Sequence, residues 1–318
     1  MFIDIFNGDA DGICALIQLR LEQPREAQLV TGVKRDINLL QRVDAGAGDE
    51  LTVLDVSMAK NTADLQRLLA AGAQVLYIDH HLPGEIPQSP LLDALIDTSP
   101  EICTSLLVDQ RLGGKYRAWA VTAAFGDNLD ASAEAAAKPL SLGNADLQSL
   151  RQLGIAINYN GYGSSVADLH FAPDQLYREL VRYDSPLDYL ADAGSSWSAL
   201  LAGYEQDMTH LEALQPDYAT EKLAVFILPR EPWSKRVSGV FGNRLANEYP
   251  DRAHAVLSRN DSGAYTVSVR APLNNRAGAG EFCSSFPGGG GRAAAAGIND
   301  LPVAQYGEFL RRFETAFG

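Results

Sequence analysis

Cysteine is scarce in this 318-residue chain: Cys14, Cys103 and Cys283 stand far apart, odd in number and without a CxxC pair. That spacing argues against a disulfide framework and a thiolate zinc site, and points to a reducing compartment, the cytoplasm. No apolar run approaches the roughly 18 residues of a membrane helix, so no membrane partner is expected. The opening MFIDIFNGDADG has no basic stretch and carries Asp4, Asp9 and Asp11, which is not the pattern of a secretory signal. Positive charge is also short, with 26 Lys+Arg against 40 Asp+Glu and a net charge of −14. The shortage is local: residues 1–215 hold 14 bases against 30 acids, and residues 216–318 hold 12 against 10. Such a chain lacks the dense basic surface that long duplex nucleic acid requires. A small phosphorylated ligand stays open to it, provided cations sit between protein and substrate.

What is present is an alternation of strand and helix patterns. Phe2–Asn7, Ala27–Val33, Leu51–Ser57, Ala73–His81 and Ala94–Thr98 read as strands, nearly continuous in Val, Ile and Leu. Helical patterns at Ile13–Leu21, Asp36–Val43 and Asn61–Gly72 separate the first four. Buried strands joined by helices predict a parallel sheet covered on both faces. From about 102 the signal is helical, broken by INYNGYG at 157–163. The strand and helix pattern restarts after Gln215-Pro216-Asp217, where the charge balance also changes. There Lys222–Leu228 reads as a strand, Val237–Tyr249 as a helix, and Ala253–Asn260 with Tyr265–Arg270 as a hairpin across Asp261-Ser262-Gly263. The Gly-rich FPGGGGRAAAAG (286–297) follows, its alanine run favouring helix, and a last helix is expected near 302–316. The expected architecture is α/β: residues 1–215 form a parallel sheet flanked by helices, and 216–318 a smaller α/β domain.

Acidic residues fall where strands end. Asp9 and Asp11 follow the first strand, Asp55 ends the third, and Asp79, His80 and His81 end the fourth. In an open parallel sheet the carboxyl ends of the strands line the ligand crevice, so these groups converge. One Asp after a strand is usually a helix cap. Two adjacent histidines beside an Asp, in a chain with five histidines in all, point to chemistry instead. Crowded carboxylates repel unless a cation neutralises them. Two divalent ions are the economical solution, and carboxylates with His but no thiolate suit Mn²⁺ or Mg²⁺ better than structural Zn²⁺.

These residues resemble the motifs of the DHH phosphoesterase superfamily. Asp79-His80-His81 is the signature, Asp9-Ala10-Asp11-Gly12 is similar to its first motif, Asp55 in LDVS to its second, and Asp127 in AAFGDN to its fourth. The segment Gly289-Gly290-Gly291-Arg292-Ala293-Ala294-Ala295-Ala296-Gly297 resembles the Gly-rich loop of the RecJ and nanoRNase branch, and VSVR with Ser268 and Arg270 its preceding strand. The likeness covers both ends of the chain and is thin over 135–215. Two departures stand out: Ile5 occupies the place where many members carry a His, and Arg292 replaces the loop's His.

The resemblance implies roles for each residue. Asp9 holds one metal and Asp11 the other, with Asp55 bridging. His80 and Asp127 complete the second ion's ligands, Asp79 supports, and His81 faces the phosphate. Gly289, Gly290 and Gly291 let backbone N–H groups approach an anion, and Arg292 and Arg270 add guanidinium donors. Asn275 is a candidate for reading sugar or base. The active site is expected in the cleft between the two domains. Residues 157–170 fit either a wall of that cleft, with tyrosines stacking on a base, or a helix–helix turn with tyrosines in the core.

The leading expectation is a manganese-dependent phosphodiesterase that cuts short oligonucleotides or dinucleotides to nucleoside monophosphates. Alternatives are a 3′-phosphoadenosine 5′-phosphate phosphatase, a cyclic-dinucleotide phosphodiesterase and a RecJ-like single-strand exonuclease. A catalytically silent nucleotide-binding scaffold is the alternative outside enzymes. A homodimer is compatible with all of them.

Overall fold

The computed structural model describes residues 1–318, and the chain divides into two compact units, Met1–Gly203 and Tyr204–Gly318. The division falls inside the helix Trp197–Thr209, ahead of the expected boundary at 215. A helix carries no composition break, so the sequence signal appears only where the strands resume.

The first unit opens with strands β1 (Phe2–Phe6), β2 (Gln28–Val30), β3 (Glu50–Leu54), β4 (Gln74–Asp79) and β5 (Leu92–Ile96). They pair in parallel throughout, in the order β2-β1-β3-β4-β5. Alternation along each strand feeds two cores. Phe6, Leu54 and Ile78 face α1 (Ala10–Glu22) and the later helices. Ile3, Ile5, Val53, Val75 and Tyr77 face α2 (Met58–Ala70) on the other side. Both faces are therefore covered, as the apolar strands required. Ile5 is wholly buried among apolar neighbours.

Helices α3 (Thr104–Arg111), α4 (Arg117–Gly126), α5 (Asp130–Ala137), α6 (Asn144–Asn160), α7 (Pro173–Leu180), α8 (Pro186–Ala191) and α9 (Trp197–Thr209) follow. Two expectations change here. Asp36–Val43 is not an α-helix but loop with one 3-10 turn at Leu39–Arg42. INYNGYG does not break a helix: Ile157–Asn160 are the last turn of α6, which stops at Gly161. Asn160 looks like a loop residue, yet its amide pairs with the backbone N–H and carbonyl of Phe171, so the turn stays helical.

The second unit is a six-stranded mixed sheet in the order β10-β11-β9-β8-β7-β6, from β6 (Tyr218–Ala219), β7 (Leu223–Ile227), β8 (Ala253–Arg259), β9 (Tyr265–Arg270), β10 (Gly289–Gly291) and β11 (Ala295–Leu301). The helix α10 (Pro232–Glu248) links β7 to its parallel neighbour β8, and β8 turns into β9 at Gly263, as the hairpin reading expects. Helices α11 (Ala279–Ser284) and α12 (Tyr306–Phe317) pack Phe282, Phe309 and Phe313 into its core. The alanine run is not helical. Ala295 and Ala296 pair with Arg270 and Val269, and Ile298 with Val267, so sheet pairing and burial override alanine's helix propensity. The glycines beside it serve packing: a Cβ on Gly289 would lie 1.9 Å from the carbonyl oxygen of Cys283.

Candidate metal centre

The strand order reverses direction between β1 and β3, and a crevice opens at the carboxyl ends of strands at such a point. Asp9 and Asp11 leave β1 there, Asp55 follows β3, and His80 follows β4. Gly12 permits the first turn, because a Cβ on it would stand 2.3 Å from the carbonyl oxygen of Asn7.

Asp11, Asp55 and His80 are buried, and Asp127 at the end of α4 reaches them. Both oxygens of Asp11 accept hydrogen bonds from the first turn of α3, from Thr104 N at 2.8 Å and Ser105 N at 2.7 Å. Asp55 sits in the left-handed region at φ 55°, a conformation a non-glycine residue adopts at a cost. Its Oδ1 is buried and accepts no hydrogen bond. Asn128, next to Asp127, is also left-handed at φ 60°.

His80 decides the character of the centre. Its Nδ1 lies 2.9 Å from the carbonyl oxygen of Ile102, which can only accept, so the neutral ring carries its proton there. Nε2 faces Asp55 Oδ1 at 3.3 Å, Asp11 Oδ2 at 3.7 Å and Asp127 Oδ2 at 3.9 Å. His81 stands beside it, its Nδ1 bound to Asp79 Oδ1 at 2.7 Å, and its side chain is 29% exposed. Asp79 is fully buried and its Oδ1 holds that ring.

Charge is unbalanced on one side only. Burial, then the charges of Asp127 and Asp9, push Asp11 up to about 6. Burial, then Asp9, Asp11, Asp79 and Asp127, hold Asp55 well above the usual carboxylate range. For Asp9 burial also raises the pKa, but Lys34 outweighs it and the group ends below its ordinary value. Asp9 caps α1, its Oδ1 accepting from Asp11 N at 3.0 Å and Gly12 N at 3.1 Å, and its Oδ2 pairs closely with Lys34. A cap was the ordinary reading of an Asp at this position, and the structure confirms it for Asp9.

Two donor sets that share His80 could each hold an ion: Asp11, His80 and Asp127, and Asp55, His80 and His81, each set having its ligand atoms within 4.8 Å of one another. Carboxylate and imidazole donors around the buried Asp55 Oδ1, which has no hydrogen-bond partner, fit a divalent cation of the Mn²⁺ or Mg²⁺ kind. Asp9 belongs to neither set.

The sequence reading did not single out Lys34 or the bond it makes to Asn158 Oδ1 at 2.9 Å. Lys34 follows β2, and the strand order β2-β1-β3 brings it to the edge that carries the acids. Tyr159 and Tyr162 take the core alternative. Tyr159 donates to the Gly203 carbonyl and pairs with His170, and the ring of Tyr162 lies under Lys34.

In the second unit, Arg270 spends its guanidinium on the protein. It donates to Asn243 Oδ1 at 2.7 Å, Ser268 Oγ at 2.9 Å, the Val269 carbonyl at 3.0 Å and the Gly239 carbonyl at 3.3 Å. Arg292 is half-buried in the turn after β10, and Asn275 is exposed. No helix of the chain is long and apolar enough to cross a membrane.

Fold and centre together define an α/β protein with a parallel sheet whose strand ends gather Asp and His, and a second unit built on a mixed sheet. The particular likenesses are to RecJ and to a pGpG-specific phosphodiesterase. RecJ from Thermus thermophilus, in complex with Mn²⁺, superposes with a TM-score of 0.59 at 20% identity, over 99% of this chain and 51% of that one. The chain thus spans about half the length of that RecJ. The phosphodiesterase, PggH from Vibrio cholerae, gives 0.55 at 14% identity, over 99% and 98%. A second exonuclease RecJ, bound to manganese, gives 0.51 at 19%, over 99% and 89%. No protein-family model and no curated protein sequence matches the chain. At these identities the likeness establishes the fold, and it is the fold that the Asp79-His80-His81 resemblance implies.

Proposed function

We propose that this chain is a metal-dependent phosphodiesterase that hydrolyses short oligonucleotides or dinucleotides to nucleoside monophosphates. The observation that carries the reading is Nε2 of His80 facing three carboxylate oxygens, at 3.3, 3.7 and 3.9 Å. Carboxylates gathered this closely repel one another, and a divalent cation relieves them. Asp11, Asp55, His80 and Asp127 would hold it. Such an ion supplies Lewis acidity, lowering the pKa of water and offsetting charge on a phosphoryl oxygen. The protein's own work is placement. Asp11 is fixed by α3, His80 by Ile102, and His81 by Asp79, which leaves the outer edge of the His81 ring to hold or hand over a proton at the leaving oxygen. Arg292 and Asn275 are the second unit's candidates for binding substrate.

Small substrates are favoured by the acid excess of residues 1–215 and by the match along 98% of PggH, a protein named for pGpG. The test is a panel with Mn²⁺: di- to decanucleotides of RNA and DNA, cyclic dinucleotides, the adenosine bisphosphate and pyrophosphate. Release of monophosphates from the shortest linear substrates, abolished by EDTA and by His80→Ala, is the expected result. A flat response across the panel overturns the reading in favour of a silent scaffold.

A further inference from the structure

We infer that Lys34 takes the place of one of the two cations expected here, so that the chain binds a single divalent ion and supplies the second positive charge itself. The inference rests on the metal reading above.

Lys34 is held at both ends of its backbone. Its N–H donates to the Gly161 carbonyl at 2.7 Å, and its own carbonyl accepts from Asn7 Nδ2 at 3.3 Å. The side chain therefore starts from a fixed point at the carboxyl edge of the sheet. An ammonium has three protons, and three oxygens meet it: Asp9 Oδ2 in close contact, Asn158 Oδ1 at 2.9 Å and Asp127 Oδ1 at 3.5 Å. Two carboxylates and an amide carbonyl are the hard oxygen donors that Mn²⁺ or Mg²⁺ takes. The Tyr162 ring, with its centroid 5.5 Å from Nζ, closes another side with an aromatic face that attracts a cation but offers no ligand.

Asp127 links the two positions. Its Oδ1 faces Lys34 and its Oδ2 faces His80 Nε2 at 3.9 Å. One carboxylate spanning two cations is the arrangement a pair of ions roughly 3.5–4 Å apart would require. Here one of the pair is covalently part of the chain. Asp9, the ligand expected for that ion, has its oxygens occupied by the α1 cap and by Lys34. The remaining donors, Asp11, Asp55, His80 and Asp127, suffice for one ion.

The experiment is a count of bound Mn²⁺ on the full chain, by elemental analysis after gel filtration at saturating metal, read beside the electron paramagnetic resonance spectrum. One ion per chain with an uncoupled Mn²⁺ spectrum is expected for the wild type and for Lys34→Arg. Lys34→Ala opens the oxygen trio and is expected to bind two, with a spin-coupled spectrum. Two coupled ions in the wild type overturn the inference and leave the proposed phosphodiesterase standing. A folded Lys34→Ala that still binds one ion also overturns it. Absence of any bound ion in the wild type removes both readings. The wild-type count decides the matter even if Lys34→Ala does not fold.

Discussion

The Nδ1–H of His80 donates to the carbonyl of Ile102 across 2.9 Å, and this bond aims the opposite nitrogen at the acids. Partners that merely orient a metal-binding histidine are worth about 10–100-fold in metal affinity or activity. Removing the ring itself costs more. His80→Ala is expected to weaken Mn²⁺ binding by at least about 100-fold, measured by calorimetric titration, and to abolish hydrolysis. Unchanged affinity would show that the ion sits elsewhere.

The metal-free protein is expected to lose stability as pH rises. Asp11 has an ordinary pKa of 3.8 and is raised to about 6 by burial and by the charges of Asp127 and Asp9. Below about pH 4 the proton is on in both states. Between about pH 4 and pH 6 the folded chain keeps a proton that the unfolded chain releases, so stability falls with rising pH, and above that window the loss is complete. A shift of this size corresponds to roughly 3 kcal/mol. Asp55 is raised too and extends the loss in the same direction. Asp9 is lowered and titrates beneath this window. Bound Mn²⁺ needs the carboxylates ionised. The gap in melting temperature between Mn²⁺-saturated and EDTA-treated protein should therefore widen from pH 5 to pH 7. A constant gap would mean that Asp11 does not face the ion.

Much of this was legible in the sequence, because two physical signals were strong. Strands buried on both faces must be apolar along their length, and β1, β3 and β4 are. Acids that end parallel strands must share one edge, which brings Asp11, Asp55 and His80 together on sequence grounds alone. What was illegible depended on partners remote in sequence. The alanines after Arg292 favour helix locally but pair with β9. Asn158 has the look of a turn residue, yet its amide reaches Lys34 from a helix. Lys34 lies in a loop without periodicity, and only the order β2-β1-β3 places it beside Asp9. Arg270 fits a phosphate fork by residue type, and only the three-dimensional structure shows Asn243 and Gly239 receiving its protons.

Arg270 and Arg292 should separate by their effects. Arg270→Ala strands the acceptors of Asn243 and Gly239 inside the second unit, at about 1–3 kcal/mol for each polar group left unpaired. A lower melting temperature with little change in KM is expected. Arg292→Ala should raise KM about 10-fold, the scale of one charged hydrogen bond to a phosphate. The opposite pattern, with Arg270→Ala acting on KM alone, would return Arg270 to the substrate.

Asp55 combines a left-handed backbone, at φ 55°, with a buried oxygen that has no hydrogen-bond partner. Both cost stability and both are explained if the residue is kept for an ion. Asn tolerates this backbone region better than most residues and carries no charge. Asp55→Asn is therefore expected to melt several degrees above the wild type in EDTA at pH 7, because it removes the cost of burying a carboxylate and the repulsion from Asp9, Asp11, Asp79 and Asp127. It should also lose hydrolysis and Mn²⁺-dependent stabilisation. Asp55→Ala loses the same charge but keeps the strained φ, worth about 1–3 kcal/mol, so it should melt below Asp55→Asn. If Asp55→Asn melts lower than the wild type without metal, the carboxylate supports the fold directly and the strain is not held for an ion.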